Sequence, residues 1–205
     1  MKGISHESSL HQKLCLSSHG SAAVSTVMNM ANDSDSMKLL AGYPGSWYSR
    51  CNIIALVMGM DTEDEAFGQK LAEGFRFFSE KEGPYLIHCT YGKDRTGFAS
   101  AVLECLMGAS LEEVVADYIA TYENLFGVEQ GTEESAYYAE MICKPLQSAF
   151  CVDALDAPGV DLSERAGQYL LQIGMTSDEI SALKEKLSQD YGGLIADSAG
   201  LPSAA

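Results

Sequence analysis

A cysteine, a lysine, an aspartate and an arginine fall within one short stretch, HCTYGKDRTG, at residues 88–97. Cys89 and Arg95 enclose Gly92, and Gly97 follows just beyond. A turn of that size can wrap a tetrahedral oxyanion, with its backbone N–H groups turned inward and the positive end of a following helix beneath it. Arg95 brings a planar fork that holds two phosphate oxygens at once, which a lysine cannot copy. The same field favours the Cys89 thiolate, because a helix N-terminus and nearby cations lower a cysteine pKa. Thr96 can donate a hydrogen bond to the sulfur and help it leave a thiophosphate. His88 is better suited to bracing the turn than to acting as a base, since a thiolate needs none. The expected chemistry is attack of sulfur on phosphorus. Thr90, Tyr91, Gly92, Lys93, Asp94, Arg95 and Thr96 form the expected phosphate-binding turn.

A bare Cys-x5-Arg pair would arise by accident in about one chain in ten of this composition, so the pair alone decides little. Its setting decides more. An apolar run, PYLI, enters the turn, a glycine lies inside it, Thr-Gly closes it, and the apolar FASAVLECLMG follows. A buried cysteine in a tight turn would leave Lys93, Asp94 and Arg95 without a purpose.

Such a turn needs a strand to deliver it and a helix to receive it. STVMNMA (25–31) reads as a short buried strand, ending in the turn-like NDSDS. NIIALVM (52–58) is a continuous apolar run, the pattern of a strand covered on both faces. A helix is expected at 62–80, opened by a Thr62–Glu65 capping box, with Phe67, Leu71, Phe75 and Phe78 at helical spacing. Gly83-Pro84 closes a turn before the buried strand YLIHC, and an apolar helix from Arg95 ends at Gly108. Ser110 with Glu113 caps the next helix, to about Leu125. Further helices are expected at 133–148, at 163–173 and, capped by Thr176 with Glu179, through Ser188. This order predicts an α/β fold: a parallel sheet flanked by helices, with a helical C-terminal part. The turn then lies at the carboxyl edge of the sheet, where such folds bind ligands. The expected organisation is a polar leader over 1–21, one α/β domain over 22–188 and a flexible tail over 189–205.

Composition narrows the partners. The 205-residue chain carries 13 Lys+Arg against 29 Asp+Glu, a net charge of −16, so no basic stripe is available for nucleic acid and an anionic membrane surface is disfavoured. No run approaches the roughly 18 apolar residues of a spanning helix. The first twenty residues lack the charged-then-apolar order of a secretory signal, which points to the cytoplasm. Cys15, Cys51, Cys89, Cys105, Cys143 and Cys151 are scattered without CxxC pairs, as expected of reduced thiols. His6, His11, Cys15 and His19 are the conceivable metal ligands, but their spacing suits a solvated leader better. No metal and no cofactor are expected.

The stretch HCTYGKDRTG resembles the phosphate-binding loop of the cysteine-dependent protein tyrosine phosphatase superfamily. Its Gly-Lys-Asp-Arg-Thr-Gly form is most similar to that of bacterial and fungal tyrosine and lipid phosphatases. The resemblance extends into FASAVLECLMGASLEEVVADYIATYEN and, more loosely, to AGQYLLQIGMTSDEISALKEKL, so it covers roughly residues 22–188. It implies a phosphocysteine intermediate on Cys89, hydrolysed by water, with Arg95 holding the phosphoryl group in both steps. The leaving oxygen also needs an acid. Asp61, 28 residues before Cys89, matches the distance of a mobile acid-bearing loop in relatives, whereas some members keep the acid where Asp94 stands. Approach from the side opposite the thiolate favours Asp61 and leaves Asp94 to fix Lys93 or Arg95. Asp64 reads as a helix-N-terminal carboxylate, and Asp117, in an Asp-Tyr pair that recurs in the family, as structural support.

The resemblance implies phosphotyrosine in proteins as substrate, with Tyr91 lining the pocket beside an aromatic phosphate. A phosphoinositide or inositol phosphate, reached through Lys93, is the alternative. A catalytically silent phospho-ligand binding module is the reading from another class, but it need not keep the thiol. Members of this group also begin with an Asn-Phe-Arg-Asp-like strand and an Arg-Ser segment, and neither is visible here. An abbreviated N-terminal part is therefore expected, with a sheet edge that needs a cover, which a homodimer would supply.

Overall fold

The computed structural model describes residues 24–190. The expected leader, with its His6, His11, Cys15 and His19, lies outside the described residues, as does the tail from 191 onward. Three short apolar runs form parallel strands, β1 (Thr26–Asn29), β2 (Asn52–Ala55) and β3 (Tyr85–His88), in the order β2-β1-β3. The register pairs Val27 with Ile53 and Leu86, and Met28 with Ile54 and Ile87. Side chains alternate across a strand, so these two rows face opposite ways. The row of Met28, Ile54 and Ile87 joins the main core; Val27, Ile53 and Leu86 join a smaller cluster with Met37 and Tyr48.

Seven α-helices surround the sheet among the described residues: α1 (Ser34–Lys38), α2 (Glu65–Glu80), α3 (Asp94–Leu106), α4 (Leu111–Phe126), α5 (Glu133–Phe150), α6 (Leu162–Gln172) and α7 (Ser177–Leu187). Phe67, Leu71, Phe75 and Phe78 of α2 are buried as their spacing predicts, each contributing about 1.5–3 kcal/mol. Gly74 lets α2 close on the sheet, since a Cβ there would lie 2.5 Å from Met28 Cε. In turn α2 packs on α7, and α3 on α4, α5 and α6. The capping boxes expected of Ser110 with Glu113 and Thr176 with Glu179 both form.

Three expectations need correction. The Thr62–Glu65 box does not form, because Asp64 caps α2 by accepting from the Ala66 N–H at 3.0 Å and the helix begins at Glu65. NIIALVM is a strand only over its first part, which stops at Ala55 and lies at an edge of the described sheet. Asn52 is therefore exposed and Ile53 to Ala55 are half-buried, although Ile53 and Ile54 pack on the two clusters. Regular pairing is interrupted beyond Ala55, where Val57 takes a left-handed φ of 48°, costly for a β-branched residue, although the Met58 N–H still donates to the Met30 carbonyl at 2.9 Å. Finally, the turn-like NDSDS holds the start of α1, which Asp33 caps through the N–H groups of Asp35 and Ser36.

Candidate active site

The segment from Cys89 to Lys93 carries the chain from β3 into α3, at the sheet's carboxyl edge. Gly92 makes the turn with a φ of 73°, a conformation that costs glycine little. Lys93 stands at the N-cap of α3 without a side-chain capping bond. Each of the other six α-helices has one, from Asp33, Asp64, Ser110, Thr132, Asp161 or Thr176. The first N–H groups of α3 are thus left for other acceptors.

One such acceptor is the Cys89 sulfur. Cys89 is buried, and burial alone would push its thiol up; the Thr96 hydroxyl, the Thr96 and Tyr91 backbone N–H groups and the Arg95 charge outweigh burial and hold it below the ordinary thiol value. The Thr96 hydroxyl is buried without a well-formed hydrogen bond, yet it stands near enough to the sulfur to favour the thiolate. At the far end of the same helix, burial first and then the Glu104 carboxylate push Cys105 up to about 12.

Arg95 is clamped. Its Nη1 donates to the carbonyls of Met30, at 3.0 Å, and Met58, at 2.9 Å, and its Nη2 donates to Thr90 Oγ1 at 3.0 Å. Met30 follows β1 and Met58 follows β2, so the guanidinium gathers the ends of all three strands. Asn29, fully buried, shapes the first of these ends by accepting from the N–H groups of Ala31 and Asn32, both at 3.0 Å. The left-handed Val57 precedes Met58, and its carbonyl accepts from Lys70 Nζ at 2.8 Å. The Nε of Arg95 is buried and meets no acceptor among the described residues. Buried donors seldom stay unpaired, so this one is available to a ligand anion.

His88 ends β3 just before the turn. It is buried, with Nε2 2.8 Å from the Tyr48 hydroxyl and Nδ1 3.4 Å from the Cys89 carbonyl oxygen. Asp94 sits in the first turn of α3, its Oδ1 3.4 Å from Lys93 Nζ and accepting from the Tyr122 hydroxyl at 3.4 Å. Lys93 Nζ also lies 5.4 Å from the centre of the Tyr122 ring. Asp61 is exposed in the loop after β2, where its Oδ1 accepts from the Glu63 N–H at 3.0 Å. Tyr91 is half exposed at the rim. Asp117 of α4 pairs with Glu104 of α3, whose carboxyl burial, and then the Asp117 charge, push up to about 7. Among the described residues no cluster of His, Cys, Asp or Glu could hold a metal ion, and no helix is long and apolar enough to cross a membrane.

Sequence reasoning missed Asn29, Met30, Met58, Tyr48 and Tyr122. The two methionines act through backbone carbonyls, which leave no mark on residue type. For Tyr122 the available signal was its spacing of four from Tyr118, which puts both rings on the face of α4 that meets the turn. A Cβ on Gly97 would lie 2.5 Å from the Tyr118 ring, so the glycine admits that contact.

Comparison with known proteins agrees with this geometry. Over 124 residues the chain is 31% identical to a tyrosine-protein phosphatase of Nostoc commune, covering 56% of this chain and 42% of the relative. Over 111 residues it is 25% identical to the triple specificity protein phosphatase PtpB of Mycobacterium tuberculosis (strain ATCC 25618 / H37Rv), covering 54% and 36% respectively. The chain thus spans less than half the length of these curated relatives. Residues 51–189, which hold β2, the turn from Cys89 to Lys93 and all helices from α2 to α7, match the tyrosine phosphatase family, and the chain belongs to that family.

Proposed function

We propose that this chain hydrolyses phosphate monoesters, phosphotyrosine in proteins foremost, through a phosphocysteine intermediate. The observation that carries this reading is the Arg95 guanidinium, clamped by two carbonyls and a threonine with its buried Nε left unpaired beside a stabilised thiolate. A phosphoryl group seated in the turn meets the Nε of Arg95 and the open N–H groups of α3. The Cys89 thiolate attacks phosphorus, an S–P bond forms, and the P–O bond to the leaving group breaks. Water then attacks the phosphocysteine, releasing inorganic phosphate and returning the thiolate. Thr96 supports that departure with its hydroxyl.

The leaving oxygen takes its proton from Asp61. Asp61 lies on the loop that supplies the Met58 carbonyl to Arg95, whereas Asp94 is already engaged by Lys93 and Tyr122. Asp94 therefore serves the turn electrostatically. The net charge of −16 fits a phosphoprotein substrate and neither nucleic acid nor an anionic membrane. Cys51, Cys89, Cys105, Cys143 and Cys151 are free thiols, which suits a reducing cytoplasm.

The test is hydrolysis of nitrophenyl phosphate and of a phosphotyrosine peptide by wild type and by Cys89→Ser. Turnover should fall to background in the variant; equal rates end the covalent mechanism. Asp61→Asn should slow poor leaving groups by about a hundredfold and nitrophenyl phosphate far less. It should also flatten the basic limb of the pH–rate profile, which reports loss of the acid's proton. A leaving-group dependence that appears instead in Asp94→Asn transfers the role to Asp94.

A further inference from the structure

Lysine side chains are rarely drawn inward, yet that of Lys93 is only 24% exposed at the rim of the phosphate turn. Two groups hold it there. Its ammonium lies 3.4 Å from Asp94 Oδ1 and 5.4 Å from the centre of the Tyr122 ring, whose electron-rich face attracts a cation. The Tyr122 hydroxyl donates to the same Asp94 oxygen at 3.4 Å, so one tyrosine contacts both members of the ion pair. The ring cannot easily turn away. It is 1% exposed, stacks on Tyr138 with centroids 3.8 Å apart, and its hydroxyl lies 3.1 Å from that of Tyr118. Tyr118 in turn packs on Gly97 of α3.

We infer that Tyr122 is a specificity-determining residue: it keeps Lys93 paired with Asp94, withholds that ammonium from a second phosphate, and so favours a singly phosphorylated aryl ester over a polyphosphorylated inositol head group. The inference rests on the phosphatase reading of the turn and deepens it. A monophosphate needs one site, which Arg95 and the α3 N–H groups supply. A polyphosphate needs a further cation at the rim, in a chain whose overall charge opposes it. Lys93 is the cation in the turn besides Arg95, and here it is held by its neighbour's carboxylate and by a ring.

The experiment measures binding in a Cys89→Ser background, so that turnover plays no part. Calorimetry gives the affinities for inositol 1,4,5-trisphosphate and for a phosphotyrosine peptide. Tyr122→Met removes the ring while keeping a long apolar side chain and should raise the trisphosphate-to-peptide affinity ratio about fivefold. Tyr122→Leu is the second variant should the first not fold, and carries the same expectation. Tyr122→Phe keeps the ring and should restore the wild-type ratio. Adding Lys93→Met to Tyr122→Met should abolish the gain. An unchanged ratio in the Met or Leu variant, equal weakening of both ligands, or a gain that survives loss of Lys93 overturns the proposal. Turnover by wild type that does not depend on Cys89 would instead remove the phosphatase reading and leave these ratios to stand by themselves.

Discussion

Helices α2 and α3 leave the same edge of the parallel sheet, one after β2 and the other after β3, yet their first turns are finished differently. The first turn of α2 is closed by its own chain: Asp64 takes the Ala66 N–H, and Glu65 adds a second carboxylate at the positive end. The first turn of α3 is left open. Lys93 offers no capping oxygen, the Thr96 N–H points to the Cys89 sulfur, and the Asp94 carboxylate is drawn to Lys93 and Tyr122. Forgoing a cap costs about 1 kcal/mol. The chain accepts that cost at the one described α-helix whose N-terminus meets a nucleophile. The difference suggests a way to read capping in reverse: among well-capped neighbours, the uncapped helix is the one whose first N–H groups are open to an anion, as the proposed mechanism requires.

The contrast breaks most severely at Arg95. Arg95→Lys removes the bidentate fork, takes the guanidinium donor from the Met58 carbonyl and leaves the Met30 carbonyl with the Met58 N–H alone. Turnover of a phosphotyrosine peptide should drop about a thousandfold. Retention of near-wild-type turnover would show that the open helix end does not work through this guanidinium.

A sharper comparison uses the two ends of α3 itself. Cys89 precedes its open N-terminus and is held low; Cys105 lies in its last turn and is pushed up to about 12. At pH 6.5, iodoacetate should label Cys89 at least about tenfold faster than Cys105, read by peptide mass spectrometry, because the thiolate is the nucleophile and the turn attracts the anion. The shift also bears on stability. A thiol whose pKa is lowered by folding stabilises the fold above its unfolded value, and that contribution is lost as pH falls through the lowered folded value. The melting temperature of wild type relative to Cys89→Ser should therefore rise with pH across that window. A flat difference would mean that the thiolate is not favoured by the fold.

The smallest effects test the caps. Asp64→Ala should lower unfolding free energy by about 1 kcal/mol in urea and leave kcat unchanged. Lys93→Ser would give α3 the oxygen it lacks, but residue 93 has an αR backbone where the other six caps are extended, so the gain in stability should be at most about 0.5 kcal/mol. The new oxygen would compete with the sulfur for the Thr96 N–H, so vanadate inhibition should weaken. A stabilised variant with unaltered vanadate affinity would separate the open turn from anion binding.

Much of this was legible in local sequence, and the exceptions share a cause. Ser110 with Glu113 and Thr176 with Glu179 formed as read, because a capping box is decided within four residues. Thr62 with Glu65 offered the same pattern and lost to Asp64, which also reads correctly as a helix-start carboxylate once the start moves by two residues. The turn from Cys89 to Thr96 was readable because its chemistry lies in side chains of one continuous stretch. The clamp on Arg95 was not, since two of its three acceptors are backbone carbonyls far away in sequence. The edge position of β2 was equally hidden: an apolar run reports burial, and strand order is settled by partners elsewhere.

On the proposed mechanism, the Arg95 clamp ties chemical competence to one edge of the described sheet. The Met58 amide donates to the Met30 carbonyl at 2.9 Å, and that same carbonyl accepts from Arg95. Since β2 is an edge strand, a partial opening that frees it releases one of the two carbonyls holding the guanidinium while the helical core stays intact. Hydrogen exchange at the Met58 amide should therefore report the fraction of molecules in which the Arg95 clamp is open. Inactivation by denaturant should precede loss of helical circular dichroism, and an oxyanion seated on Arg95 should slow both the exchange and the inactivation, since it would bind only the closed form.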